Sequence, residues 1–282
     1  MLTLGRKGYP VSLQQISSPP KQLFYRGADL SELLKMPRLA VVGSRNVTPY
    51  GRRVTTDLVK QLAEQGIVII SGLALGVDAV AHQAALDGEG ITIAVLPGSV
   101  EQPYPATNRY LAERIVNRGG ALVSEYTAGT VNFKQNFIAR NRIVAGLAQA
   151  VLITEAGEKS GTLHTARFAL EQGKEVLAVP GPLYSTTSVG TNNLLKAGAH
   201  LITSYTDVIE VLGLKPHQAK PRVVKGRNQH EQRVIDLLAQ GVSDGEELQH
   251  LSELDVSQFN QVMTMLEISA KIHPLGANQW SL

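Results

Sequence analysis

Cysteine is absent from all 282 residues, which excludes disulfides and thiolate-held metal and fits a reducing compartment. No stretch approaches the roughly 18 uninterrupted apolar residues that a membrane-crossing helix needs, and the first residues lack the basic start, apolar run and cleavage site of an export signal. The expectation is a cytoplasmic protein with no membrane association. Strong net charge is missing too, since 27 Lys and Arg face 24 Asp and Glu for a net charge of +3. That near balance conceals a division. Residues 1–227 hold 25 cations against 16 acids, a difference of +9, whereas residues 228–282 hold 2 against 8, a difference of −6. A polyanion is drawn to the first part and repelled by the second.

What is present is alternation. From Leu39 onward short aliphatic runs (Leu39–Val42, Ile67–Ile70, Thr92–Leu96, Ala121–Ser124, Ala150–Thr154, Glu175–Val179, Ala199–Ile202) alternate with helical patterns, among them Pro49–Gln65, Gly76–Asp87 and Ile138–Gly146. Runs with no polar face suit strands buried in a parallel sheet. The expected fold class is α/β, a Rossmann-like, doubly wound, mostly parallel sheet, with a small C-terminal winged-helix domain. The expected partition is an extension over residues 1–38 laid on the main domain, a Rossmann-like domain over 39–214, a linker over 215–227 with prolines and little periodicity, and the small domain over 228–282. In that small domain three short helices precede two strand-like pieces, Ile272-His273-Pro274 and Gln279-Trp280-Ser281. Its third helix, expected over Val256–Ala270, contains no Lys or Arg. Without cations to meet phosphates it does not fit a major groove, so a protein-contact or regulatory role is expected of it.

Four stretches carry candidate chemistry at the carboxyl edge of the sheet, where open parallel sheets bind ligands. Gly43-Ser44-Arg45 ends the first strand, although it is neither a complete G-x-G-x-x-G nor a phosphate loop ending in Gly-Lys-Ser/Thr. Ser71-Gly72 ends the second and leads to a helix bearing Asp78 and His82 at i, i+4. These two read as a catalytic pair or, more simply, as a helix-start carboxylate and a surface histidine. Phe133 to Arg142 interleaves Phe133 and Phe137 with Lys134, Arg140 and Arg142, around Asn141. Rings that stack on unpaired bases beside cations that follow the backbone are what a single-stranded nucleic acid requires; a helix start with core phenylalanines and a solvated basic face is the plainer reading. Finally, Ser160, Gly161 and Thr162 open a helix whose N–H and hydroxyl groups can donate to an anion, while Glu155 just before them can orient a sugar hydroxyl or pair with an arginine.

Taken together, GSR, SGLALGVDAVAH, the later Tyr104-Pro105, SEY, FIARNRIVAGL, EAGEKSGTLHTARFALEQG, VPG and GTNNLLKAGA stand in the order and spacing of one family. Over roughly residues 5–212 the chain resembles the DNA-processing protein A (DprA/Smf) family. The resemblance implies a single-stranded DNA-binding protein of natural transformation that protects incoming strands and helps load the RecA recombinase. It also implies a homodimer, an encounter with single-strand-binding protein, and no catalytic reaction, cofactor or metal. Carried over by position, it implies DNA contact at Arg45, Lys134, Phe137, Arg140 and Arg142, with Ser71 and Gly72 lining the same edge. The helix faces around Leu194, Leu195, Val208, Val211 and Leu212 are the expected dimer contact. Two departures stand out: Phe137-Ile138 replaces the usual Phe-Pro, and Leu96-Pro97-Gly98 the usual Leu-Gly-x-Gly. Many members also carry an amino-terminal helical domain, whereas this chain begins almost at the Rossmann extension.

A rival reading is an enzyme that cleaves a base from a nucleotide, in the manner of phosphoribohydrolases. Against it, the P-G-G-x-G-T run such an enzyme uses is missing, and Pro180-Gly181 is followed by Pro182-Leu183. A winged-helix transcription factor with an α/β sensor domain is disfavoured by the acidity of the last 55 residues.

Overall fold

The structure, a computed structural model, describes residues 1–130, 133–216, 225–269, 271–276 and 278–282. Two strands, β1 (Leu2–Thr3) and β2 (Gln22–Gly27), flank the short helix α1 (Val11–Gln14), and α2 (Leu30–Leu33) follows. Then come β3 (Arg38–Val42), α3 (Pro49–Glu64), β4 (Val68–Ser71), α4 (Val77–Asp87), β5 (Thr92–Val95), α5 (Arg109–Asn117) and β6 (Ala121–Ser124). Next are α6 (Lys134–Leu147), β7 (Ala150–Ile153), α7 (Leu163–Glu171), β8 (Glu175–Ala178), α8 (Val189–Lys196), β9 (His200–Leu201) and α9 (Tyr205–Val211). The strands form one sheet in the order β1-β2-β6-β5-β4-β3-β7-β8-β9. From β6 to β9 every pair is parallel, and β1 and β2 add antiparallel at one edge. The expected α/β class is therefore the observed one. Residues 1–38 contribute strands to the sheet itself: Phe24 pairs with Ser124 and Gly27 with Ala121.

The sheet is buried on both faces, which is why its central strands are uniformly aliphatic. Leu39 and Val41 of β3 and Leu152 of β7 pack against Leu58, Val59 and Leu62 of α3 and Val208 and Ile209 of α9. Their neighbours Ala40, Val42 and Ile153 point the other way, to Leu13, Ile143, Leu147 and Ala169. Strand order reverses between β3 and β7: from β3 the chain first builds outward through β4, β5 and β6, then resumes on the other side with β7. The loops after β3 and β7 thus diverge to opposite faces and leave a crevice between them, the switch point at which such sheets bind ligands.

Two compact units divide the chain, Met1–His217 and Gln218–Leu282; of the expected linker, residues 217–224 lie outside those described. The second unit holds α10 (Gln229–Ala239), α11 (Gly245–Ser252), α12 (Val256–Ile268) and an antiparallel pair, β10 (His273–Gly276) with β11 (Gln279–Ser281). Asn228, Asp244 and Asp255 each accept N–H bonds at the helix starts, an arrangement worth about 1 kcal/mol per cap. Val234, Leu238, Leu248, Phe259, Leu266 and Ile272 form its separate core.

The helix faces expected to dimerise are largely spent on the fold. Val208 is fully buried, and Leu194, Val211 and Leu212 pack against the two cores of the first unit.

Candidate nucleic-acid interface

At the switch point the crevice opens into a cleft of about 630 Å³. Its walls come from the loop after β3, the loop after β4, the first two turns of α6 and the loop after β7. Of the residues expected at the site, Gly43, Ser44, Arg45, Gly72, Lys134, Phe137, Arg140, Asn141, Ser160, Gly161 and Thr162 line it. Helix α6 begins four residues earlier than its hydropathy suggests, at Lys134 rather than Ile138. That places Lys134, Phe137 and Asn141 at i, i+3 and i+7, on one face.

Two buried side chains of opposite charge stand at the cleft floor. Arg140 is 4% exposed and Asp78 6%. One guanidinium N–H group of Arg140 donates to the carbonyls of Gly72 (2.5 Å) and Val95, and its Nε donates to Asn141. Asp78 accepts from the Gly72 N–H at 3.1 Å. Burial raises the Asp78 carboxyl above the usual range, and the Arg140 charge opposes that rise; burial lowers Arg140 to about 10, still cationic at neutral pH. Arg140 is thus a structural cation that ties β4, β5 and α6 together: it lines the cleft, but its Nε and one terminal nitrogen already donate to protein groups. Gly72 is explained by the same arginine. A Cβ there would overlap the Arg140 guanidinium, so the missing side chain admits an arginine rather than a ligand.

Two further expected residues lie elsewhere. Ser71 is fully buried, and its hydroxyl donates to the Val41 carbonyl at 2.6 Å. Arg142, two residues past Arg140 and so on another side of α6, is held in a bidentate pair with Glu125 at 2.7 and 2.6 Å and also donates to Ser18. Such a fork is already satisfied and does not reach the cleft. Thr162 lines the wall, but its hydroxyl donates to the Gly43 carbonyl at 2.8 Å, clamping α7 to the loop after β3. Glu155 is 2% exposed and accepts from the N–H and hydroxyl of Thr48. Among the described residues it pairs with no arginine, and at this depth it is closed to solvent; it fixes the start of α3, and Gly51 supplies the space, since a Cβ there would overlap the carboxylate.

His82 is not at the surface. It is fully buried, and because the Thr92 hydroxyl donates to Ile69, the Nδ1–H of His82 must donate to that hydroxyl at 2.6 Å. Burial and the Arg140 charge hold its pKa down at about 3, so it is neutral and no partner to Asp78 in proton transfer. A folded pKa below the unfolded value of about 6.5 makes the unfolded chain bind the extra proton as pH falls. Stability is therefore lost from about pH 6.5 downward, by about 2 kcal/mol at pH 5. Denaturant unfolding at pH 7 and pH 5 checks this: in His82→Gln the gap between the two pH values narrows by about that amount.

What remains accessible is a cation–aromatic cluster. The Arg45 guanidinium lies 5.4 Å from the centre of the Phe137 ring, an attraction of about 0.5–1 kcal/mol at an exposed site. Tyr104 meets the same ring edge-on, centres 5.4 Å apart at 77°. Phe137 is half-buried at the cleft wall and belongs to no core cluster, while Arg45 and Lys134 are exposed. Among the described residues neither cation has a carboxylate partner. Tyr104 is the residue that reading the sequence missed as a site member. Its signal was there, in the Tyr104-Pro105 motif, but nothing local links it to Phe137 across 33 residues. Among the described residues no cluster of His, Asp and Glu could hold a metal ion, and no helix is long and apolar enough to cross a membrane.

Comparison with known proteins accords with this geometry. DNA processing protein DprA of Bacillus subtilis is 40% identical over 211 residues, 75% of this chain and 70% of its own. Protein Smf of Escherichia coli K12 is 43% identical over 209 residues, 74% of this chain and 55% of its own. A Mycobacterium tuberculosis relative is 46% identical over 174 residues, so the chain spans 44% of that protein's length. Among solved structures, DNA processing protein A from Streptococcus pneumoniae superposes with a TM-score of 0.70 at 39% identity, covering 77% of this chain and 74% of that one. DNA processing protein A from Helicobacter pylori, whose structure concerns its single-stranded DNA binding mode, superposes with a TM-score of 0.66 at 36% identity, covering 72% and 92%. Residues 1–213, which include every strand of the large sheet and every wall of the cleft, match the family described as DNA recombination-mediator protein A, and the chain belongs to that family.

Proposed function

We propose that this protein binds single-stranded DNA at the cleft, with little sequence preference, and acts as a mediator of recombination in the cytoplasm. The observation that carries the reading is the Arg45–Phe137 contact with Lys134 one turn away: a ring for a base and two unpaired cations for phosphates, at the switch point of the sheet. A ring set into a cleft wall takes a base only when that base has left its duplex, which favours unpaired strands. The family's role and the Helicobacter relative's DNA binding mode support the same ligand. Protection of incoming strands, delivery to the RecA recombinase, displacement of single-strand-binding protein and a working homodimer complete the proposal. The base-cleaving alternative loses support, because Glu155 is buried against Thr48 and His82 is buried and neutral.

Past Arg227 the second unit, which we read as winged-helix-like, has no cation to spare among the described residues. Arg233 pairs with Glu253 at 2.9 Å and Lys271 with Glu231 at 3.1 Å, and these are the only Lys and Arg of residues 228–282. A chain truncated after Lys225 is expected to keep its affinity for single strands within a few-fold, and both proteins should prefer a single strand to a duplex of equal length. Fluorescence anisotropy with the two substrates measures this. Equal affinity for duplex sinks the reading, and a tenfold loss on truncation assigns DNA to the second unit. Sedimentation of both proteins at tens of micromolar reports the dimer.

A further inference from the structure

Just beyond the cleft, the loop after β8 presents a second aromatic platform. We propose that its tip, Leu183-Tyr184, continues the single-strand track by stacking on a nucleobase outside the cleft; the inference rests on the single-stranded DNA reading above. Tyr184 is 100% exposed and Leu183 82%, an apolar pair given wholly to water.

The tip is mounted on a fixed frame. The Pro180 carbonyl accepts from the Tyr50 hydroxyl at 2.6 Å. Gly181 exchanges two bonds with the Asn192 side chain, at 3.2 and 3.1 Å. A Cβ on Gly181 would strike the Ser188 hydroxyl, so the two ends of the loop lie against each other. Backbone bonds run from Ser185 to Pro182 and from Ser188 to Ser185, and Gly190 donates to Ala156 at 2.8 Å. A backbone held in place loses little freedom when a base settles on the ring it carries.

Position and charge name the occupant. Strand β8 is next to β7, and β7 next to β3. With neighbouring strands 4.7–4.9 Å apart, the Tyr184 loop leaves the sheet about 10 Å from the loop bearing Arg45. The segment between them is continuous: a Cβ on Gly157 would lie 3.2 Å from the Thr186 carbonyl, and Ser160 and Gly161 of the same loop form the cleft wall. Lys159 stands exposed in that segment, and Arg52 stands exposed on the first turn of α3 beside Tyr50. Neither has a carboxylate partner among the described residues. An aromatic ring flanked by unpaired cations, in line with a ring-and-cation cleft, matches a polyanion with unpaired bases better than an apolar protein surface.

The test titrates the full chain with oligothymidylates of about 6 and about 20 nucleotides, lengths bracketing the site sizes of sequence-tolerant binders. Tyr184→Ala should weaken the longer oligonucleotide by roughly 5–150-fold with an unchanged salt slope, and leave the shorter one unaffected. Tyr184→Phe, which keeps the ring, should restore wild-type binding. Because Tyr184 touches no core, circular dichroism of the variants should match the parent. Arg45→Ala serves as the second arm. If it weakens both lengths while Tyr184→Ala changes neither, the track ends at the cleft and this inference falls alone. If neither variant changes binding, the cleft reading falls as well. A Tyr184→Ala protein with intact DNA affinity and altered sedimentation overturns the proposal and assigns the tip to a second copy of the chain.

Discussion

The double variant Arg45→Ala/Lys134→Ala should flatten the slope of log affinity against log salt by about 1.4, twice the 0.7 that each phosphate contact on a single strand contributes. The same term makes the loss salt-dependent: about 25-fold at 0.1 M and close to none at 1 M. Both cations are exposed and without carboxylate partners among the described residues, so their removal costs the fold at most the Arg45–Phe137 attraction of about 0.5–1 kcal/mol and the thermal midpoint should fall by no more than a few degrees. Phe137→Ala is the contrast. Its ring is half-buried at the cleft wall and outside every core cluster, so its loss costs about 1–3 kcal/mol of binding with the slope unchanged. Anisotropy titrations at four or five salt concentrations separate the two. A double variant with the parent's slope would remove this edge of the sheet from the DNA site.

Arg140→Met should be the most damaging single substitution to stability. It leaves the Asp78 carboxylate buried without its cation and deprives the Gly72 and Val95 carbonyls of a donor. Removing the opposite charge near a buried carboxylate together with the donor of two buried carbonyls costs about 3–5 kcal/mol, and for a unit of this size each kcal/mol lowers the melting midpoint by about 2–4 °C. The loss should depend on pH in a defined direction. Burial already raises the folded-state pKa of Asp78, with Arg140 opposing the rise, and removing the arginine raises it further. A carboxyl with a raised folded pKa holds its proton longer in the fold than in the unfolded chain, so its penalty grows as pH rises through the unfolded value of about 3.9. The deficit of Arg140→Met against wild type is thus largest at neutral pH and shrinks toward pH 4. Adding Asp78→Asn should return part of the loss, because an amide leaves no unpaired charge. A deficit independent of pH would show that the arginine's packing, not its charge, holds the floor.

Much of the fold was legible before any coordinates. The runs at Leu39, Ile67, Ala121 and Ala150 are aliphatic on both faces, and only a strand covered on both sides needs that; each lies within a residue of an observed strand. The edge strands were not legible. Gln22–Gly27 has one half-open face and a mixed pattern, so hydropathy marked residues 1–38 only as an extension. The start of α6 was late for a related reason: its first turn, Lys134 to Phe137, faces the cleft and carries no core periodicity.

The site was legible as a place but not as a set of contacts. Glycines and small residues at strand ends, and rings among cations from Phe133 to Arg142, identify the edge and the chemistry, because local residue type decides which groups a loop or helix turn can present. Which of those groups are free is a different matter. Arg45, Arg140 and Arg142 are equivalent in sequence, yet Arg140 is spent on Gly72, 68 residues away, and Arg142 on Glu125, 17 residues away, while Arg45 rests on a ring. A cation is available to a phosphate only if folding has brought no carbonyl or carboxylate against it, and those partners come from distant strands and loops. The order of strands and helices was therefore set by the sequence alone, through local hydropathy, whereas the division of its arginines into structural and exposed was decided by tertiary contact.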